Sequence, residues 1–179
     1  MEIKDDRELV VIAVKEPEKG FRLLMAKYKD AVYWHIRRLV VSHDDAQDAT
    51  QETFVRIFHS LTQFKSECSF RSWIYRIATN EALRILNRRQ DRVSLDDSPV
   101  ELNSMMADEY VDYSDLEVIR LQQAILALPT KQQLAFNLRY YNEMGYDEIA
   151  AITGSTADSV KSSYHIAKEK IIRYMNLNN

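Results

Sequence analysis

The sequence contains few of the residues that interrupt helices or form tight turns. Its 179 residues include only three glycines, three prolines and one cysteine, Cys68. Sandwiches and barrels need many turns, and β-branched runs are short here, so an all-helical fold is predicted. A single cysteine excludes an intramolecular disulfide framework and indicates a reducing compartment.

Long hydrophobic runs are also missing. No stretch approaches the ~18 apolar residues of a membrane-spanning helix, and the first residues, MEIKDDRELV, are acidic where a signal peptide is basic. We therefore expect a soluble, cytoplasmic protein. The four histidines are scattered without metal-ligand spacing, and no nucleophile and base stand together. No metal, other cofactor or small-molecule substrate is predicted, and an all-helical enzyme is a remote alternative.

Positive charge is absent from one long segment. Between Val93 and Glu117 there is no Lys or Arg, while eight Asp and Glu residues occur. Taking these eight negative charges from the formal net charge of −3 leaves +5 on the rest of the chain. We interpret residues 91–113 as a flexible acidic linker between two small helical domains, 1–90 and 114–179. The global net charge therefore says little about what the two flanking domains can bind.

Four helices are predicted before the linker, because apolar residues recur there every three or four positions. The first covers about 5–15, and the second opens near Pro17. A capping-box pattern at Ser42 starts the third, and the fourth begins near Ser69 or Phe70.

Four more helices are predicted after the linker. Ser114 opens the first through another capping-box pattern, and Pro129 starts the second. Gly154 ends the third because glycine tolerates the left-handed conformation. Ser155 is predicted to cap the last one.

The last helix has one side with few apolar residues. That side presents short donors and acceptors first and cations later: Thr156, Asp158, Ser159, Lys161, Ser162, His165 and Lys168. Short polar side chains just beyond a glycine turn suit a helix-turn-helix that reads base edges in the major groove. An ordinary surface helix in a helical hairpin is the alternative.

The fourth helix has an arginine-rich side. Arg76, Asn80, Arg84 and Arg88 recur every four positions, so they align on one face, and Arg71, Arg89 and Arg92 add to it. Aromatic residues lie near its start: Phe64, Phe70, Trp73 and Tyr75. Rings that stack on bases beside cations that neutralise phosphates are typical of single-strand binding. The alternative is a solvated arginine face over core aromatics, and Phe70 is assigned to the core.

The third helix has an acidic and amide surface opposite its apolar side, formed by Asp45, Asp48, Gln51 and Glu52. It is interpreted as a docking face for a basic helix of another protein. A solvated face is a comparable alternative.

Three segments in this order resemble extracytoplasmic-function (ECF) sigma factors of bacterial RNA polymerase. They read DAQDATQETFVRIF, then FRSWIYRIATNEALRILNRR, then LPTKQQLAFNLRYYNEMGYDEIAAITGSTADSVKSSYHIAKEKI. The resemblance runs from about residue 21 to 172 and is broken by the linker. It implies a region 2 helical bundle and a region 4 helix-turn-helix.

The resemblance also implies which residues bind. Core polymerase would dock on Asp45, Asp48, Gln51, Glu52 and Phe54. The single-stranded −10 element would meet Phe64, Lys65, Ser69, Trp73, Arg76, Asn80, Arg84 and Arg88, with residues 62–69 capturing an extruded base. The duplex −35 element would meet Arg139, Thr156, Asp158, Ser159, Lys161, Ser162, His165 and Lys168.

The implied function is a promoter-specificity subunit that binds core RNA polymerase and promoter DNA. An anti-sigma partner, often membrane-bound in this family, is implied as well. The chain departs from the family at Gln133, Ser163 and Ile166, where arginines are frequent. Two other functions are considered: a sigma mimic that sequesters an anti-sigma factor without touching DNA, and a stand-alone helix-turn-helix regulator.

Overall fold

A computed structural model describes residues 5–93 and 116–177 of the chain. All regular structure in these two ranges is helical, which confirms the predicted all-α fold. The helices belong to two compact units, Met1–Asp97 and Ser98–Asn179. The segment interpreted as the linker lies largely outside the described residues.

The first unit has four α-helices and one short 3-10 turn. The helices are α1 (Asp6–Lys15), α2 (Pro17–Val40), α3 (His43–Ser60) and α4 (Phe70–Val93), and the 3-10 turn Leu61–Gln63 follows α3. All four predicted helices are present. The last of them ends at Val93, inside the segment interpreted as linker.

The turn between α2 and α3 is tight. Val41 has a φ of 66°, and the Ser42 amide donates to the Val40 carbonyl at 2.8 Å. Arg89 of α4 donates to the same carbonyl at 2.8 Å. The Ser42 hydroxyl then accepts from the Asp45 amide at 3.3 Å, so the predicted cap of α3 is confirmed.

Helix α1 crosses α2 at very close range. A Cβ at Gly20 would lie 2.4 Å from the Ala13 Cα, so only glycine allows this crossing. Asp6 strengthens it by accepting from Lys27 Nζ and the Tyr28 hydroxyl, each at 2.8 Å. Burial and the Asp6 carboxylate raise the pKa of Tyr28, so its hydroxyl remains a donor.

A histidine lies in the middle of the first core. His35 is fully buried, with Nε2 2.8 Å from the Thr79 hydroxyl and its ring 5.1 Å from that of Tyr75. Burial, together with the charge of Arg38, lowers the pKa of His35 from 6.5 to about 3. Its Nδ1 has no hydrogen-bond partner among the described residues, so a proton there would have no acceptor.

We therefore expect His35 to make the first unit acid-sensitive. The pKa of His35 is lower in the folded state, so below pH 6.5 the unfolded chain binds a proton that the folded chain does not. The free energy of unfolding therefore decreases as the pH falls from 6.5 towards 3. Between pH 7 and pH 5 the loss from this one group should be about 2 kcal/mol. Urea unfolding at both pH values measures it, and His35→Gln should remove this part of the difference. An unchanged difference would contradict the prediction.

The second unit has four helices: α5 (Leu116–Leu126), α6 (Thr130–Tyr140), α7 (Tyr146–Thr153) and α8 (Ala157–Leu177). They match the four predicted helices, although Ser114 lies outside the described residues. Helices α5, α6 and α8 share an apolar cluster that includes Ile125, Phe136, Ala167 and Ile171. The apolar side of α8 thus packs against its own unit.

The cap of α8 differs from the prediction. Gly154 does end α7 with a φ of 65°, as expected. However, the Ser159 amide donates to Thr156 Oγ1 at 3.2 Å, so Thr156 caps α8. The Ser155 hydroxyl instead lies 2.7 Å from that of Thr153, because the glycine turn directs it back towards α7. The prediction for Ser155 is wrong.

Candidate nucleic-acid interface

The arginine-rich side of α4 reaches solvent along most of its length. Arg76, Asn80 and Arg88 are exposed, and within residues 5–90 no carboxylate lies within ion-pair distance of Arg76 or Arg88. These three residues stand in line because they are four and eight positions apart on one helix. The face therefore offers two unpaired cations and an amide to an anionic ligand.

Arg84 lies on the same face but is held inside the unit. Its Nη2 is 2.6 Å from Glu81 Oε2, at ion-pair distance although not aligned as a hydrogen bond. Glu81 is 3% exposed and also lies 2.6 Å from Arg56 Nε of α3. Arg84 keeps 41% of its side chain exposed, so it can meet a partner without leaving Glu81.

Arg89 does not extend the arginine face, contrary to the interpretation of the sequence. It forms an ion pair with Asp45 of α3 and also donates to the Val40 carbonyl. The reason is geometric, since Arg89 follows Ala82 and Ile85 on the inner side of α4. Asp45, one of the acids assigned to docking, is thereby partly neutralised within its own unit.

The aromatic residues before and at the start of α4 form one cluster. The Phe70 and Trp73 rings stack at 5.6 Å, and Phe64 lies 5.2 Å from the first and 5.3 Å from the second. Phe70 is buried, as predicted, while Phe64 and Trp73 are half-exposed. Half-exposed rings that are held in place by the buried ring of Phe70 are available to stack on a nucleobase.

The loop that leads into α4 is polar and exposed. Lys65 and Ser69 both face solvent, and Ser66 has a φ of 55°. The Ser69 hydroxyl accepts from the Ser72 amide at 3.1 Å, so it caps α4. Lys65 directly follows Phe64, so an exposed cation and a half-exposed ring lie next to each other on this loop.

The acidic and amide side of α3 is mostly exposed. Asp48 and Gln51 face solvent, and Glu52 is partly exposed beside Arg56, 3.2 Å away. Phe54 is different, because it is 4% exposed and packs its ring edge-on against Phe21. In this conformation Phe54 supports the face from below.

Two apolar residues on this face were missed in the sequence. Val55 and Phe58 are 44% and 42% exposed on α3. They follow Gln51 at spacings of four and then three, which is the signal that could have identified them. The face therefore combines acids and amides with an apolar border.

The polar side of α8 is open along its length. All seven residues predicted on it are exposed, from Thr156 to Lys168. Thr156 is used as the cap, and His165 lies 3.4 Å from Glu169, while the remaining ones include Ser159 and Lys161 in the first turns. Polar side chains in the first turns are suited to contact base edges in the major groove.

Arg139, assigned to the same DNA element, has a local structural partner. It donates to the Met144 carbonyl at 2.9 Å and its guanidinium lies 5.0 Å from the centre of the Tyr146 ring. It therefore braces the connection between α6 and α7. Of the three positions where the family often has arginine, Gln133 is buried, Ser163 half-buried and Ile166 exposed.

Metal-ligand clusters and membrane-spanning helices are both absent from residues 5–93 and 116–177. No group of three or more His, Cys, Asp or Glu side chains there is placed to hold a metal ion. No helix in the same ranges is both long and apolar enough to cross a membrane.

Comparison with known families matches both units. Residues 24–92 match Sigma-70 region 2, and residues 119–171 match Sigma-70 region 4. The chain is 30% identical over 177 residues to the ECF RNA polymerase sigma-E factor of Escherichia coli, covering 93% of this chain and 92% of that one. It is 28% identical over 178 residues to the RNA polymerase sigma-H factor of Pseudomonas aeruginosa, covering 94% and 92%.

Two solved structures share the fold. A chain of the structure of CnrH in complex with the cytosolic domain of CnrY has a TM-score of 0.74 at 24% identity, covering 97% of this chain and 99% of that chain. The sigma factor RpoE in complex with the anti-sigma factor NepR, from Bartonella quintana, has a TM-score of 0.76 at 22% identity, covering 90% and 99%.

A Sigma-70 region 2 bundle followed by a region 4 helix-turn-helix defines a sigma subunit of bacterial RNA polymerase. The similarity extends over nearly the full length of the curated relatives. This chain belongs to the ECF sigma factors, as the three sequence segments predicted. Its function is that of a promoter-specific sigma factor. Sigma factors are non-catalytic subunits that act in transcription initiation with core polymerase and promoter DNA.

Proposed function

We propose that this sigma factor divides its contacts among three separate helical surfaces. Helix α3 docks on core polymerase, α4 with the preceding loop holds the single-stranded −10 element, and α8 reads the duplex −35 element. One observation carries the proposal: the exposed sides of these helices differ in chemistry. They are acidic with amides, arginine-rich beside aromatics, and short and polar, respectively.

The contribution of α4 rests on charge and stacking. Arg76 and Arg88 are exposed cations that can neutralise phosphates, and Asn80 between them can hydrogen-bond a base edge. Trp73 and Phe64 offer ring faces to unstacked bases. Unpairing costs a few kcal/mol per base, so bases captured on protein would help to keep the strands apart without ATP.

The contribution of α8 rests on its first turns. Ser159 and Ser162 are short enough to let the helix approach base edges closely, and Lys161 and Lys168 can reach the flanking phosphates. Arg139 is bound to its own unit, so we assign it a bracing role and not direct base reading.

The contribution of α3 rests on complementary composition. Its exposed acids and amides suit a basic partner helix, and the Val55 and Phe58 border adds the apolar area that interfaces bury. An anti-sigma protein is proposed as a competing partner in the cytoplasm. Support comes from the two solved structures, both of which are complexes with such a protein or with a cytosolic domain.

Run-off transcription tests the proposal. Purified core polymerase with this chain should enrich a −35/−10 pair from a promoter library. Replacing both Arg76 and Arg88 by Ala should slow promoter opening by roughly 10- to 100-fold and lower the salt slope by about one to two, because two phosphate contacts are lost. Core binding should be unchanged.

The matched control is Arg22→Ala, which removes an exposed arginine on another helix, α2. It should leave opening as it is. An effect of Arg22→Ala equal to that of the Arg76 and Arg88 variant would contradict the assignment of α4. Core binding without any enriched promoter would favour a sigma mimic instead.

A further inference from the structure

One acid lies buried beneath the arginine face of α4. The side chain of Glu81 is 4% exposed, and both of its oxygens face guanidinium groups. Oε1 lies 2.6 Å from Arg56 Nε of α3, and Oε2 lies 2.6 Å from Arg84 Nη2. A buried carboxylate is stable only when it is paired, so Glu81 and its two arginines form one ion-pair cluster.

This ion-pair cluster continues to the docking side of α3. Arg56 Nε also lies 3.2 Å from Glu52 Oε1, so the charges alternate from Glu52 through Arg56 and Glu81 to Arg84. The first member is part of the surface proposed for core polymerase. The last is part of the surface proposed for the −10 strand.

Arg84 differs from the other arginines of its face in how it is held. Its Nε is buried without a hydrogen-bond partner and its Nη2 is tied to Glu81, yet 41% of the side chain is exposed. Arg76 and Arg88 are exposed and, within residues 5–90, pair with no carboxylate. A long side chain that is already ordered loses less conformational entropy when it binds.

We infer that Glu81 is a positioning residue for promoter opening: it fixes the Arg84 guanidinium before DNA arrives and links it through Arg56 to the docking face. The inference rests on the proposed function, in which α4 contacts the −10 strand. Glu81 itself is buried and does not touch DNA. The Glu81 carboxylate also places one negative charge near the DNA phosphates, which lowers the non-specific affinity for single-stranded DNA.

Glu81→Gln separates these two effects, because it keeps the shape of the side chain and removes its charge. Promoter opening by the holoenzyme should slow by roughly three- to tenfold, since Arg84 is no longer fixed. Non-specific affinity for a single-stranded oligonucleotide should rise, with a steeper salt slope, because a neighbouring negative charge is lost. A purely structural role would not move the two measurements in opposite directions.

The experiment measures opening with a fluorescent base analogue in the −10 element. Glu81→Gln is compared in three backgrounds: the unchanged chain, Arg84→Ala and Arg88→Ala. Its effect should be present in the first and third and absent in the second, because Glu81 acts through Arg84 and not Arg88. If Glu81→Gln does not fold, Glu81→Asp keeps the charge but shortens its reach, and the same dependence on Arg84 is expected.

Three results would overturn the inference. An equal effect of Glu81→Gln with and without Arg84, or no effect in the unchanged chain, would overturn the inference. Slower opening in Arg88→Ala would still leave the proposed role of α4 standing in either case. Normal opening in both the Arg84→Ala and the Arg88→Ala chains would overturn the proposed role of α4 together with the inference.

Discussion

Replacing Asp48 by Lys is expected to lower the affinity for core RNA polymerase by about 100-fold. Asp48 is exposed at the centre of the acidic side of α3, and no side-chain partner holds it within the described residues. Reversing its charge opposite a basic partner places like charges together, which costs about 2–3 kcal/mol. Titration of labelled core polymerase measures the loss.

The control is Asp30→Lys, the same charge change at an exposed position on α2. It should leave core affinity within about twofold, and both variants should melt like the parent because neither residue is buried. Affinity of the free chain for a −10 oligonucleotide should not fall in either variant. Equal losses of core affinity in the two variants would show that net charge and not the α3 surface determines docking.

The second large effect concerns stability. Removing both partners of Glu81, with Arg56→Ala and Arg84→Ala together, should destabilise the first unit by about 3 kcal/mol. A loss of about 3 kcal/mol is at the low end for an unpaired buried charge, because truncating the two arginines also lets water reach Glu81. The melting temperature should fall by roughly 15 °C. Either single variant should cost much less, since one arginine remains with Glu81.

A third substitution distinguishes the cause. Adding Glu81→Leu to the double variant should restore most of the lost stability, because a buried apolar side chain needs no partner. The matched control, Arg22→Ala with Arg88→Ala, removes two exposed arginines and should cost less than about 1 kcal/mol. If Glu81→Leu restored nothing, the lost packing of the arginine stems and not the buried charge would explain the effect.

The positions of the helices followed from the sequence because local rules govern them. Few glycines and prolines, together with apolar residues at helical spacing, predicted every α-helix that the structure describes, but not the short 3-10 turn after α3. Gly154 and Ser42 were identified correctly, since their roles depend on their own backbone and the next three residues. The sequence did not distinguish Ser155 from Thr156 as the cap of α8, because both are hydroxyl residues beside the same turn.

Several site residues needed the structure. The burial of Glu81 could have been inferred, because it follows Ile74 and Ala78 at helical spacing on the inner side of α4. Its partner Arg56 could not, since that residue belongs to another helix. The sequence also counted Arg89 among the exposed cations, although it lies on the same inner side.

The sequence alone determined that the chain is helical, that its segments follow the order of an ECF sigma factor, and that cations collect on α4 and polar residues on α8. Tertiary structure decided which charges remain available. Asp45 pairs with Arg89 across 44 positions, Glu81 holds Arg84, and Arg139 braces its own unit. The physical reason is that helical periodicity depends on neighbours within a few residues. Ion pairing between helices depends on how they pack.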